Sequence, residues 1–157
     1  MNSFRSFLPS AAPDSADATA AAPKSPETAR DAIVELLKLE GCEPRVDSDG
    51  DVVFTYKDFT YLLIFSRKDP EYIRLVLPNF WSIDSDSERS VAYAAANITN
   101  RSCKAAKICV EGEQTNAVIE CFMAAPEQII PVLLRSAGAL EHAVRTFSVA
   151  CTLQRGQ

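Results

Sequence analysis

The stretch that decides the fold is Asp47–Leu77, DSDGDVVFTYKDFTYLLIFSRKDPEYIRLVL. Three runs rich in β-branched and aromatic residues, 51–56, 59–66 and 71–77, are separated by clusters of Asp, Gly, Lys and Pro. The first composition favours strands and the second favours turns. Asp47-Ser48-Asp49-Gly50 reads as a hairpin turn after a short strand at Pro44–Val46. Lys57-Asp58 turns the first long strand into the second, and Arg67–Pro70 turns the second into the third. The whole is an antiparallel meander.

Side chains alternate across a strand, and pairing carries the alternation to the neighbour. A two-residue loop at Lys57-Asp58 sets Tyr56 opposite Phe59, Phe54 opposite Tyr61 and Val52 opposite Leu63. A four-residue loop at Arg67–Pro70 sets Phe65 opposite Tyr72, Leu63 opposite Arg74 and Tyr61 opposite Val76. One face then carries Phe54, Tyr56, Tyr61, Tyr72 and Arg74; the other is mostly aliphatic, with Leu62, Ile64, Ile73, Leu75 and Leu77. The aliphatic face is the expected floor for the helices, so Leu62 is expected in the core. Tyrosine and arginine are enriched at interfaces. Phe54, Tyr56, Tyr61, Tyr72 and Arg74 are therefore the candidate partner surface. The alternative is that the middle helix or the chain after Leu77 covers it. A slip of one residue in a loop would exchange the faces.

Working outward, Ser25 can cap a helix, Pro26 suits its first position, and Glu27 and Asp31 meet the positive end of its dipole. Ala29, Ile33, Leu36 and Leu37 follow helical spacing, and Gly41 offers a left-handed stop. Asp84–Glu88 opens a second helix through Val91, Ala95 and Ile98, ending near Asn100. Strands are expected at Lys104–Glu111 and Asn116–Met123, about Gly112. The last helix follows Pro126, with Ile130, Leu133, Leu134, Ala137, Leu140, Val144 and Phe147 on one stripe. Pro131 must lie in its first turn, which delays the regular helix to about Gln128–Ile130. The order α-β-β-β-β-α-β-β-α predicts an α+β fold, an antiparallel meander plus hairpin with helices on one face. The single domain is expected over residues 27–153. Residues 1–26, with seven Ala, five Ser and four Pro, lack an apolar face and are expected to be disordered. Phe4, Phe7 and Leu8 there could form a short docking motif.

A net charge of −5 argues against nucleic acid and against an anionic membrane surface as partner. No apolar run approaches the roughly 20 residues that span a bilayer. Five cysteines without a CxxC spacing suit neither a disulfide framework nor a zinc site, and point to reduced thiols in cytosol. Cys109 and Cys121 on neighbouring strands are read as buried thiols.

Catalytic signals are absent. The sequence has no GxSxG, P-loop or GxGxxG, and its one histidine, His142, sits on the last helix, read as a solvated or rim position. Asp47–Asp51 resembles part of a calcium loop, but a hydrophobic strand follows where further oxygen ligands would be needed. Asp84, Asp86 and Glu88 are explained by the helix start. Asn100 is expected to stop its helix in the left-handed conformation, and Asn97 to bond a neighbouring backbone. No catalytic, cofactor or metal residue is assigned.

Ala96-Asn97-Ile98-Thr99-Asn100 runs into a strand containing Ala106-Lys107-Ile108-Cys109-Val110, after strands at 51–56, 59–66 and 71–77. This pattern resembles the YbjN-like family, bacterial proteins described as sensory transduction regulators, over about residues 28–147. That family is similar in fold to the type III secretion chaperones, which are small, acidic and dimeric. The resemblance implies a cytoplasmic, non-enzymatic protein-interaction module, a homodimer, without a cofactor. A dedicated type III secretion chaperone for an effector, and a small enzyme or ligand sensor, are the alternatives.

Overall fold

The structure is a computed structural model in which residues 26–155 are described. Helix α1 (Pro26–Leu39) is followed by strands β1 (Arg45–Val46), β2 (Val52–Tyr56), β3 (Phe59–Phe65) and β4 (Tyr72–Ser82). Then come α2 (Asp86–Ser102), β5 (Lys107–Glu111), β6 (Gln114–Phe122), a 3-10 helix (Pro126–Val132) and α3 (Leu133–Arg155). The six strands form one antiparallel sheet in the order β1-β2-β3-β4-β6-β5. The fold is α+β, as the element order requires. The expected disordered segment 1–26 lies outside the described residues except for Pro26, which opens α1.

Local signals explain the element ends. Gly41, at φ +75°, lets the amides of Gly41 and Cys42 reach back to the carbonyls of Lys38 and Leu37 at 3.0 and 2.9 Å. Ser85 caps α2, its Oγ accepting from the Glu88 amide at 3.1 Å, while Glu88 Oε2 accepts from the Asp84 amide at 3.0 Å. Lys57 and Asp58 both adopt positive φ, as a two-residue hairpin turn of mirror-image type requires. Asp47 Oδ1 accepts from the amides of Asp49 and Asp51 at 3.0 and 2.9 Å, so that carboxylate is spent on the hairpin turn.

The β2–β3 register is the expected one, with Phe54 opposite Tyr61 and Tyr56 opposite Phe59. The β3–β4 register is not. Phe65 pairs with Ile73, Leu63 with Leu75 and Leu62 with Val76, one residue beyond the expected pairing. The Asp69 amide bonds Ser66 Oγ at 3.0 Å and the Tyr72 amide bonds the Asp69 carbonyl at 3.0 Å, which lengthens the connection by one residue. A shift of one reverses which residues of β4 share a face with β3.

The helices consequently cover Val52, Phe54, Tyr61, Leu63, Ile73, Leu75 and Leu77. The expected faces are thereby corrected for β2 and β3, whereas Ile73, Leu75 and Leu77 of β4 lie under the helices as expected. Phe54 and Tyr61 are core residues, 1 % and 0 % exposed, with rings stacked at 5.3 Å. Tyr56 is half-buried against the same core. Leu62 lies on the opposite face, half-buried and outside the core. The physical reason is in the residues: this arrangement buries the aromatic rings with the aliphatic half of β4 and leaves Thr55, Thr60 and Arg74 outside, where their polar groups need no buried partner. From the helices, Ile33, Leu37, Leu133, Leu140 and Phe147 complete the core, with Phe80 and Trp81 packing edge-on to Phe147 at 5.3 and 5.7 Å.

Burial pushes the Tyr61 hydroxyl up to about 12 from 10.0, with the Glu141 charge adding to the effect. The hydroxyl donates to the Ala137 carbonyl at 3.3 Å. An unfolded tyrosine loses its proton near pH ~10. The stability linked to Tyr61 is therefore fully present below about pH 10 and is lost as pH rises through about 12. Tyr61→Phe is expected to cost about 0.5–1.5 kcal/mol at neutral pH and to flatten the alkaline fall in the urea midpoint. A variant whose midpoint falls in parallel with wild type would show that Tyr61 does not carry that dependence.

Candidate functional site

The second face of the sheet is the candidate interface. Val53, Leu62, Val76 and Val118 are register partners in one row across β2, β3, β4 and β6. Beside it runs Ile64–Arg74–Glu120, and next Tyr72–Phe122. None of Leu62, Ile64, Val76 and Val118 belongs to the core that the described helices cover. Val76 and Val118 in the first row are nonetheless buried, Leu62 and Ile64 are half-buried, and Phe122, beside Tyr72, is 74 % exposed.

A polar cluster sits on the same face. The Tyr72 hydroxyl donates to Glu120 Oε1. That hydrogen bond is the main reason the Tyr72 hydroxyl is held above its ordinary value. The Tyr72 and Phe122 rings are tilted at 5.8 Å. Arg74 Nε lies 3.5 Å from Glu120 Oε1 but makes no hydrogen bond among the described residues. A guanidinium has five donors, so Arg74 keeps capacity for a further carboxylate.

Of the five residues expected at a partner surface, the structure brings only Tyr72 and Arg74 together here. Glu120, Phe122, Ile64 and Val118 complete the cluster and were not anticipated. The signal for the three on β6 is the alternation in Asn116–Phe122, where Asn116, Val118, Glu120 and Phe122 share a face against Ala117, Ile119 and Cys121.

The other candidates separate. Cys109 pairs with Asn116 and faces outward with it, whereas Cys121 pairs with Ile73 on the core side. All five cysteines are free. Burial raises Cys42, Cys109, Cys121 and Cys151, which disfavours reactive thiolates. His142 is exposed on α3. It lines a cleft of about 440 Å³ between the α2–β5 loop and α3, together with Ser102, Cys103, Lys104 and Arg135.

Neither Asn97 nor Asn100 takes the role expected of it. Asn97 is exposed, and α2 continues past Asn100 to Ser102. It is Asn100 that bonds a backbone: its Oδ1 accepts from the Ile108 amide at 2.7 Å and its Nδ2 donates to the Ile108 carbonyl at 3.1 Å. β5 is an edge strand, and Asn100 occupies the groups of Ile108 that another strand would use. Asn100→Ala is expected to cost about 1–3 kcal/mol, because it strands a part-buried amide, and to speed hydrogen exchange at Ile108. Unchanged exchange there would show that the side chain does not guard the edge.

No family model and no curated protein matches this chain. Among the described residues no helix is long and apolar enough to cross a membrane.

Proposed function

We propose that the chain is a non-enzymatic protein-interaction module of a bacterial cytoplasm, a homodimer whose copies meet through the second face of the sheet. The observation that carries the reading is the pairing of an apolar row with Arg74 and Glu120 side by side on that face. A twofold interface places the same patch on both sides, so a residue pair of opposite charge can exchange partners across it. Arg74 of each copy then meets Glu120 of the second copy, while Leu62, Ile64 and Phe122 are withdrawn from water. Phe122 is exposed there and Leu62 and Ile64 are half-exposed, and apolar side chains left to water beside one another mark interaction sites.

The resemblance of Ala96–Asn100 and the strand that follows to the YbjN-like family supports the same reading. So does the order of helices and strands, which is compatible with a type III secretion chaperone-like fold. On this reading the protein acts by binding other proteins as a regulator or chaperone-like factor, with no cofactor. The test is the mass in solution of wild type beside Arg74→Glu, Glu120→Arg and the double exchange.

A further inference from the structure

The cleft beside α3 carries a chemistry that the sheet face does not use. It adjoins a second cleft of about 340 Å³, and Lys104, Arg135 and Ala139 line both. Together they fall in the size range of small-molecule sites, roughly 300–1,000 Å³. In a chain of net charge −5, no carboxylate among the described residues lines either cleft. Lys104 and Arg135 make no ion pair among the described residues. The hydroxyl residues Ser102 and Ser136 stand beside them, and Val132 and Ile119 form an apolar wall.

The backbone at the mouth is strained. Ala105 has φ +61°, and the Ala106 amide closes a tight turn on the Lys104 carbonyl at 2.7 Å. A left-handed alanine in a three-residue turn costs free energy, and such outliers gather at functional sites. The turn begins at Lys104, which lines the cleft together with Arg135 of α3.

We propose that this cleft binds a phosphate monoester with an apolar or aromatic substituent. Arg135 offers a planar fork of donors to two phosphate oxygens and Lys104 a point charge to the third. Ser136 supplies a neutral donor, whereas the Ser102 hydroxyl is already donated to the Ile98 and Thr99 carbonyls at 3.1 Å, and the Val132–Ile119 wall receives the substituent.

The test is titration of the isotope-labelled full chain with phenyl phosphate, inorganic phosphate, phenol and a phosphotyrosyl peptide at constant ionic strength, followed by amide NMR shifts. Saturable shifts are expected at Lys104–Ala106, Arg135 and Ser136 with phenyl phosphate, about tenfold weaker binding of inorganic phosphate, and none of phenol. Lys104→Gln with Arg135→Gln, two exposed positions, should weaken phenyl phosphate about tenfold or more while other shifts stay as in wild type. A peptide that binds more tightly than phenyl phosphate assigns the ester to a modified protein; one that binds equally or more weakly assigns it to a small metabolite. Shifts that do not saturate, that sulfate reproduces in full, that inorganic phosphate matches in affinity, or that survive the double substitution would overturn the proposal.

Discussion

Leu63→Ala is expected to destabilise the fold by about 2–5 kcal/mol, and Leu62→Ala, one residue earlier, by less than about 1 kcal/mol in the isolated protomer. Leu63 is 0 % exposed and pairs with Val52 on one side and Leu75 on the other, beneath the helices. Its truncation opens a cavity that a closely packed core cannot collapse to fill. Leu62 pairs with Val53 and Val76 on the opposite face, outside the core that Leu63 belongs to. Chemical denaturation of the two variants at a concentration low enough to keep protomers apart measures the difference. Equal costs, or a larger cost at Leu62, would mean that the helices cover the other face.

The contrast shows where the sequence was legible. Lys57-Asp58 is a loop of two polar residues between strong strand formers, and only one turn geometry serves it, so the β2–β3 pairing was readable. The β3–β4 connection was not. A loop of four residues and one lengthened by the Ser66–Asp69 bond have the same composition, yet they give opposite parity. Which face of β2 and β3 the helices take depended on that parity and was misread with it, although the covered face of β4 was read correctly.

The third long strand was expected to end at Leu77. The strand instead runs to Ser82, through an irregularity between Leu77 and Trp81 with Asn79 at φ +51°. Proline is tolerated there because Pro78 lies beyond Val76, the last residue of β4 with a partner on β3. Pro131 acted more strongly than expected. Its ring blocks the α-helical ladder, so the segment from Pro126 is a 3-10 helix and α3 begins only at Leu133. Of the partner surface, Tyr72 and Arg74 were legible as interface residue types. Glu120 and Phe122 were not, because their place beside Arg74 and Tyr72 depends on the pairing of β4 with β6, distant in sequence.

The dimer reading makes a second large prediction. Arg74→Glu places two carboxylates together on each face, and across a twofold axis it sets like charges against each other. Glu120→Arg does the same with cations. Close charge pairs at interfaces show coupling of about 1.5–7 kcal/mol, so either single exchange should weaken association by at least about tenfold. Both side chains are partly exposed, 30 % and 48 %, so the protomer should stay folded. The double exchange restores opposite charges on both sides of the axis and should recover most of the association.

The most direct measurement is therefore the sedimentation equilibrium of wild type, both single variants and the double variant at matched salt, with circular dichroism to verify folding. The account predicts a dimeric wild type, two weakened single variants and a double variant that is again dimeric. A wild type that remains monomeric at high concentration, or folded single variants that associate as tightly as wild type, would contradict it.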